Sequence, residues 1–153
     1  MKYRLYLLTI LTTLLATATL SAAEPTREIH NLNDGWHFFP LEATDGDNAD
    51  HVQIPHSWQC ELGSYGRGMT DANYTKELEI PKEREGKRLF LRFGAVQSVA
   101  DLFVNGSYVG SHKGGFTAFT MEITDKVRYG AKNYIRVVVS NARRNDIFPL
   151  SSD

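Results

Sequence analysis

The sequence predicts an all-β fold, a sandwich or barrel of about eight short strands, enough for a jelly roll. Three observations predict it. Apolar residues recur with a period of two: Leu89, Leu91 and Phe93 alternate with Arg88, Phe90 and Arg92, and Ile135, Val137 and Val139 alternate with Arg136 and Val138. Turn-forming clusters separate the runs: "PKEREGK", "AVQS", Asn105-Gly106, "KGG" and "TDKVRYGAKN". No long stretch carries the 3.6-residue period of an amphipathic helix.

The elements follow in chain order. Lys2 and Arg4 precede the uncharged run "LYLLTILTTLLATATLSAA", which closes on small residues at Ser21 and Ala23. That pattern reads as a signal peptide over 1–23, with the mature domain spanning 24–153 and a secreted or periplasmic location. The five threonines and small-residue end of the run argue against a stable membrane anchor. Short strands are expected around Trp36 and Val52. The acidic stretch "DGDNAD" (45–50) departs from the EF-hand pattern at Ala49, Asp50 and His56 and reads as a solvated loop. Pro55-His56-Ser57-Trp58 should end a strand and pack Trp58 beneath the sandwich. Gln59 to Asn73 reads as a long rim loop. The next strands are expected at 74–80, 88–93, 99–104, 107–112, 119–123 and 135–139. Asn105-Gly106 should form a type I′ hairpin turn, because both central residues of that turn need positive φ. Asn133 and Asn141 bracket the last long strand and read as turn and strand-end residues.

Composition narrows the function. Hydrophobic residues make up 42% and charged residues 23%, values that allow an ordinary packed core. A net charge of −1 offers no basic footprint for nucleic acid. Cys60 is the only cysteine, so no disulfide forms within the chain. His30, His37, His51, His56 and His112 are scattered without metal-ligand spacing, and no cofactor or metal site is expected. No nucleophile elbow, P-loop or dinucleotide fingerprint occurs, and no motif selects a pair of catalytic carboxylates. Taken alone, the chain shows no catalytic residues.

A resemblance supplies what motifs do not. "NDGWHF" (33–38), "VQIPHSWQ" (52–59), "YTKELEIP" (74–81), "ADLFVNGSYVGSHKGGFTAFTMEIT" (100–124), "GAKNYIRVVVSNA" (130–142) and "DIFPLSSD" (146–153) occur in one order. Together they resemble the N-terminal sugar-binding domain of glycoside hydrolase family 2, the family of β-galactosidases, β-glucuronidases and β-mannosidases. The resemblance implies a galactose-binding-domain-like jelly roll followed by an immunoglobulin-like domain and a (β/α)₈ barrel. That barrel carries the two glutamates of a retaining mechanism. Those downstream domains would be this chain's partners, with a β-glycoside as ligand, and the chain alone is not expected to be active. It implies that Asp153, and less directly Asp146, help bind the sugar. In some members the first of these also helps hold a sodium ion, and a magnesium ion is the other cation the parent enzyme would use. It further implies that Phe116, after Gly114-Gly115, is a packing residue.

Two other readings remain open. A free-standing carbohydrate-binding module would stack sugar rings on Tyr65, Tyr74, Tyr108 or Trp58. A remnant of a truncated gene would expose an apolar face and be poorly soluble.

Overall fold

The computed structural model describes residues 27–41, 49–61, 71–142, 144, 146 and 147. The chain divides after Asn31. Before it, residues 27–31 are irregular, and His30 Nε2 lies 3.4 Å from a Glu28 carboxylate oxygen. From Leu32 onward the chain forms the folded domain described below.

Eight strands are present among the described residues: β1 Trp36–Pro40, β2 Asp50–Val52, β3 Asp71–Ile80, β4 Phe90–Phe93, β5 Val99–Val104, β6 Ser107–Lys113, β7 Phe119–Glu122 and β8 Ala131–Ser140. A four-residue helix, α1, spans Trp58–Glu61. No described helix is long and apolar enough to cross a membrane. Six strands form one antiparallel sheet in the order β2-β1-β3-β8-β5-β6, and β4 pairs with β7 in a second. The sandwich is therefore uneven, six strands against two.

The period of two sorts the large sheet into faces. Phe38, Tyr74, Val137 and Leu102 stand in one register row, and Ala72, Val139 and Ala100 in another. All seven belong to the buried core. The small sheet covers part of that core with Leu91, which is buried, and with Phe93, Phe119 and Met121 packed against it. Trp58 of α1 covers another part, its ring 5.9 Å from Phe38 and 6.3 Å from Tyr74. Trp58 is 6% exposed and packs beneath the sheet as its sequence context suggests, although its indole Nε1 finds no acceptor among the described residues. Phe39, Val99 and Ile147 are buried apart from the main core.

Two local features fix the ends of strands. Asn105 (φ 51°) and Gly106 (φ 79°) both adopt the left-handed region, as a type I′ turn requires. A Cβ on Gly106 would meet nothing within 4 Å, so its requirement is purely conformational. Gly106→Ala should therefore cost about 1–2 kcal/mol, read as a lower urea midpoint with an unchanged slope. On the outer side of the small sheet Arg88 grips Glu122, with Nε to Oε1 at 3.0 Å and Nη2 to Oε2 at 2.6 Å. Hydrogen bonds from Arg88 and then Thr124 hold the Glu122 carboxyl down to about 2 from its ordinary 4.5. A depressed carboxyl stabilises the fold fully above the ordinary value, and that contribution is lost as pH falls from 4.5 towards 2. Glu122→Gln should accordingly flatten the acid limb of the stability curve in that window while leaving its slope near pH 7 unchanged.

Several expectations require correction. Gln59 to Asn73 is not all loop: α1 opens it, and β3 begins at Asp71, pairing with Ser140. Residues 62–70 lie outside the described residues, as do 42–48 of the acidic loop, whose Asp50 begins β2. Asn133 is no strand-end residue. It sits inside β8 at 1% exposure and accepts from Arg128 N (2.6 Å) and Asn105 Nδ2 (2.9 Å). Phe116 is 72% exposed rather than packed.

Candidate functional site: a loop rim at one end of the sandwich

Register determines which connections meet. Pro40, Ala72, Val139, Ala100 and His112 form one row, and Asp71, Ser140, Val99 and Lys113 form the next and last. The segments after Pro40, before Asp71, before Val99, after Lys113 and after Ser140 thus leave the large sheet at the same end. Phe119 of the small sheet joins them there by stacking on His112, with ring centroids 4.0 Å apart, and on Phe93 at 4.8 Å.

Backbone hydrogen bonds tie these connections together. Ser98 N donates to Ser140 O (2.7 Å), Gly114 N to Ser98 O (2.8 Å) and Leu41 N to Asp71 O (3.3 Å). Gly114 has φ +122°, and a Cβ on Gly115 would meet the Gln97 side chain at 3.1 Å. Both glycines let the β6–β7 connection fold close against the β4–β5 connection. His112 and Thr117 meet at 3.2 Å across its base, and Phe116 projects from it.

Asp146 stands on the segment that follows β8 at this end, where Asp71 begins β3. Arg144 holds it in a fork, Nε to Oδ1 at 3.2 Å and Nη2 to Oδ2 at 3.4 Å, and the aspartate side chain stays 58% exposed. The Arg144 hydrogen bond is the main reason its carboxyl lies below the ordinary value, and the Lys113 charge lowers it further. An ionised carboxylate with free lone pairs beside two cations suits a sugar hydroxyl, and the cations suit an acid group on a sugar. No cluster of three or more His, Cys, Asp or Glu occurs among the described residues. Asp153 lies outside the described residues.

Other sequence candidates fall elsewhere. Trp58 and Tyr74 are 6% and 7% exposed, so neither can stack a sugar; Tyr74 instead holds His56 Nδ1 at 2.6 Å. Tyr108 is 54% exposed, and Tyr65 lies outside the described residues. Cys60 is exposed and unpaired with any other cysteine. A depression of about 470 Å³ beside β2 is lined by the consecutive residues His51, Val52, Gln53, Ile54, Pro55 and His56. It is a bend in one stretch of chain, without the converging elements of the rim. Sequence reasoning missed Lys113 and Arg144. The Gly pair marks the loop that brings Lys113 to the rim, but no local pattern marks either cation.

The sequence profile described as the sugar-binding domain of glycosyl hydrolases family 2 matches residues 67–148. The chain belongs to this family. The family 2 domain is 43% identical over 127 residues to a β-glucuronidase of Bacteroides fragilis, covering 80% of this chain and 18% of that protein. It is 31% identical over 134 residues to a β-galactosidase of Thermoanaerobacter pseudethanolicus, again 80% of this chain and 18% of the other. Among solved structures it is similar to the Bacteroides uniformis β-glucuronidase, with TM-score 0.70 and 30% identity, over 81% of this chain and 16% of that one. The family 2 chain thus spans less than a fifth of the length of these relatives.

Proposed function

We propose that this domain is the substrate-pocket module of a secreted or periplasmic β-glycosidase. The parent enzyme hydrolyses β-glucuronides in preference to β-galactosides by a retaining mechanism. In that mechanism two carboxylates about 5 Å apart act as nucleophile and acid/base, and both come from another domain of the parent. The domain's share is to bind and orient. Asp146 accepts a hydroxyl of the sugar, Lys113 and Arg144 favour its carboxylate, and Asp153, by the resemblance of "PLSSD", accepts a second hydroxyl.

One observation carries this reading: an exposed carboxylate forked by Arg144 stands on the segment after β8, which leaves the sheet where separate connections converge. The 43% identity to a β-glucuronidase supports the choice of sugar. The signal-like run over 1–23 supports export.

The test begins with the source DNA beyond codon 153, followed by expression of the whole reading frame. The expected enzyme turns over an aryl β-glucuronide faster than the matching β-galactoside. Asp146→Asn and Asp153→Asn raise KM more than they lower kcat, because these residues bind and do not react. A stop codon directly after Asp153, or an enzyme that cleaves neither substrate, overturns the proposal.

A further inference from the structure

The face of the large sheet turned away from the core carries a second arrangement, remote in register from the rim. Pairing places Tyr108 opposite Phe103, Phe103 opposite Arg136, Arg136 opposite Thr75, Thr75 opposite His37 and His37 opposite His51. Residues paired across an antiparallel sheet share a face, so these six side chains form one row across all six strands. At about 4.8 Å between strands the row is roughly 24 Å long.

The chemistry is concentrated at its β8–β5–β6 end. The Arg136 guanidinium lies 4.5 Å from the Phe103 ring centroid, and Tyr108 meets Phe103 edge to face at 5.4 Å. Tyr108 is more than half exposed, while Phe103 and Arg136 are half-buried. Arg136 has no carboxylate or hydrogen-bond acceptor among the described residues, and stacking on Phe103 is its one contact of that kind. By contrast Arg88, in the turn before β4, and Lys132 of β8 each grip a glutamate. Stacking fixes the guanidinium plane and leaves its edge N–H groups for a planar anion such as a carboxylate. Beside it, Tyr108 offers the electron-rich face that meets the C–H groups of a pyranose. One row over on the same face stand Asp101, opposite Val138, and Ser111, opposite Asp101. Their oxygens suit sugar hydroxyls.

We propose that this outer face is a second saccharide site, selective for an acidic oligosaccharide. The carboxylate of one uronate residue pairs with Arg136, and a neighbouring ring lies on Tyr108. The His37–His51 pair, with ring centroids 4.3 Å apart, lies at the far end of the row, where a longer chain would reach it. The inference rests on the sugar-binding reading of the domain, but it uses no residue of the rim.

The experiment is calorimetric titration of the whole chain with a tetrasaccharide containing alternating β-linked glucuronate, and with the same tetrasaccharide after reduction of its carboxyl groups. The acidic form is expected to bind at least ten-fold more tightly. Arg136→Gln and Tyr108→Ala should each weaken it about ten-fold with unchanged circular dichroism and melting temperature, and Arg136→Lys should recover part of the loss. Lys82→Gln, removing an exposed cation elsewhere, should change nothing. Equal binding of the two tetrasaccharides overturns the proposal. So does binding that survives both Arg136→Gln and Tyr108→Ala, a result that leaves the rim as the site and the proposed function intact. If the two substitutions instead destabilise the full-length enzyme without altering saccharide affinity, the face is covered by another domain and the proposal fails. A chain that binds neither saccharide, beside a parent enzyme that cleaves a β-glucuronide, overturns the second site alone.

Discussion

Phe38→Ala is expected to destabilise the domain by about 3–5 kcal/mol, the range for truncating a buried aromatic ring. Phe38 is 1% exposed and touches three other rings: His56 at 4.7 Å, Tyr74 at 5.1 Å and Trp58 at 5.9 Å. These rings come from β1, β3, the segment leading into α1 and α1 itself, so one deletion loosens the joint between the sheet and the short helix that covers it. The cavity cannot close easily, because Tyr74 is fixed by its hydrogen bond to His56 and by β3 pairing on both sides. Urea unfolding followed by tryptophan fluorescence reads the effect twice over. The midpoint should fall, and Trp58, one of only two tryptophans, should emit further to the red in the folded state. A loss below about 1 kcal/mol would show that the ring cluster repacks without Phe38.

Asn133→Ala is expected to cost about 3 kcal/mol, because it strands several part-buried backbone groups at once. Asn133 Nδ2 donates to Arg128 O (2.8 Å) and Ala131 O (3.0 Å), while Oδ1 accepts from Arg128 N and Asn105 Nδ2. Asn105 in turn donates to Lys126 O (2.8 Å) and accepts from Tyr134 N (3.0 Å) and Arg128 Nη2 (3.1 Å). Two amides therefore fasten the β7–β8 connection to the tip of the β5–β6 hairpin. Asn105→Gly keeps the positive φ and removes only the side chain, so it separates the network from the turn. In a double-mutant cycle the two substitutions should couple by about 1 kcal/mol or more. Additive losses would mean that the amides act independently.

These two sites also show what the sequence made legible. Asn105-Gly106 announced its own turn, because the requirement for positive φ is local and few residues meet it. β5 was expected to span 99–104 and does, since its alternating pattern runs straight into that turn. Asn133 was misread for the converse reason. Its partners, Arg128 and Asn105, are 5 and 28 residues away, and only folding brings them to it. The sequence pattern starts β3 only at Tyr74, because Asp71, Ala72 and Asn73 are poor strand formers. Pairing with Ser140, Val139 and Val138 overrides that preference. The α1 turn has too few residues to express a helical period. Of the candidate site, Asp146 is legible from its place in "DIFPLSSD" and its fork with Arg144 is local, two residues back, but which other loops share that end of the sandwich depends on the fold. Tyr74 and Trp58 are aromatic, yet burial removes both from any role at the surface.

The two outermost strands of the large sheet bear on how the domain behaves by itself. β2 is three residues long and is followed closely by Pro55. β6 carries a bulge, Leu102 pairing with Gly110 and Phe103 with Tyr108, and it ends on Lys113. A brief edge at one side, and a kinked, lysine-terminated edge at the other, offer a poor template for strands of a neighbouring molecule. The sheet is self-terminating, and polymerisation through its borders is disfavoured whether or not the rest of an enzyme is attached.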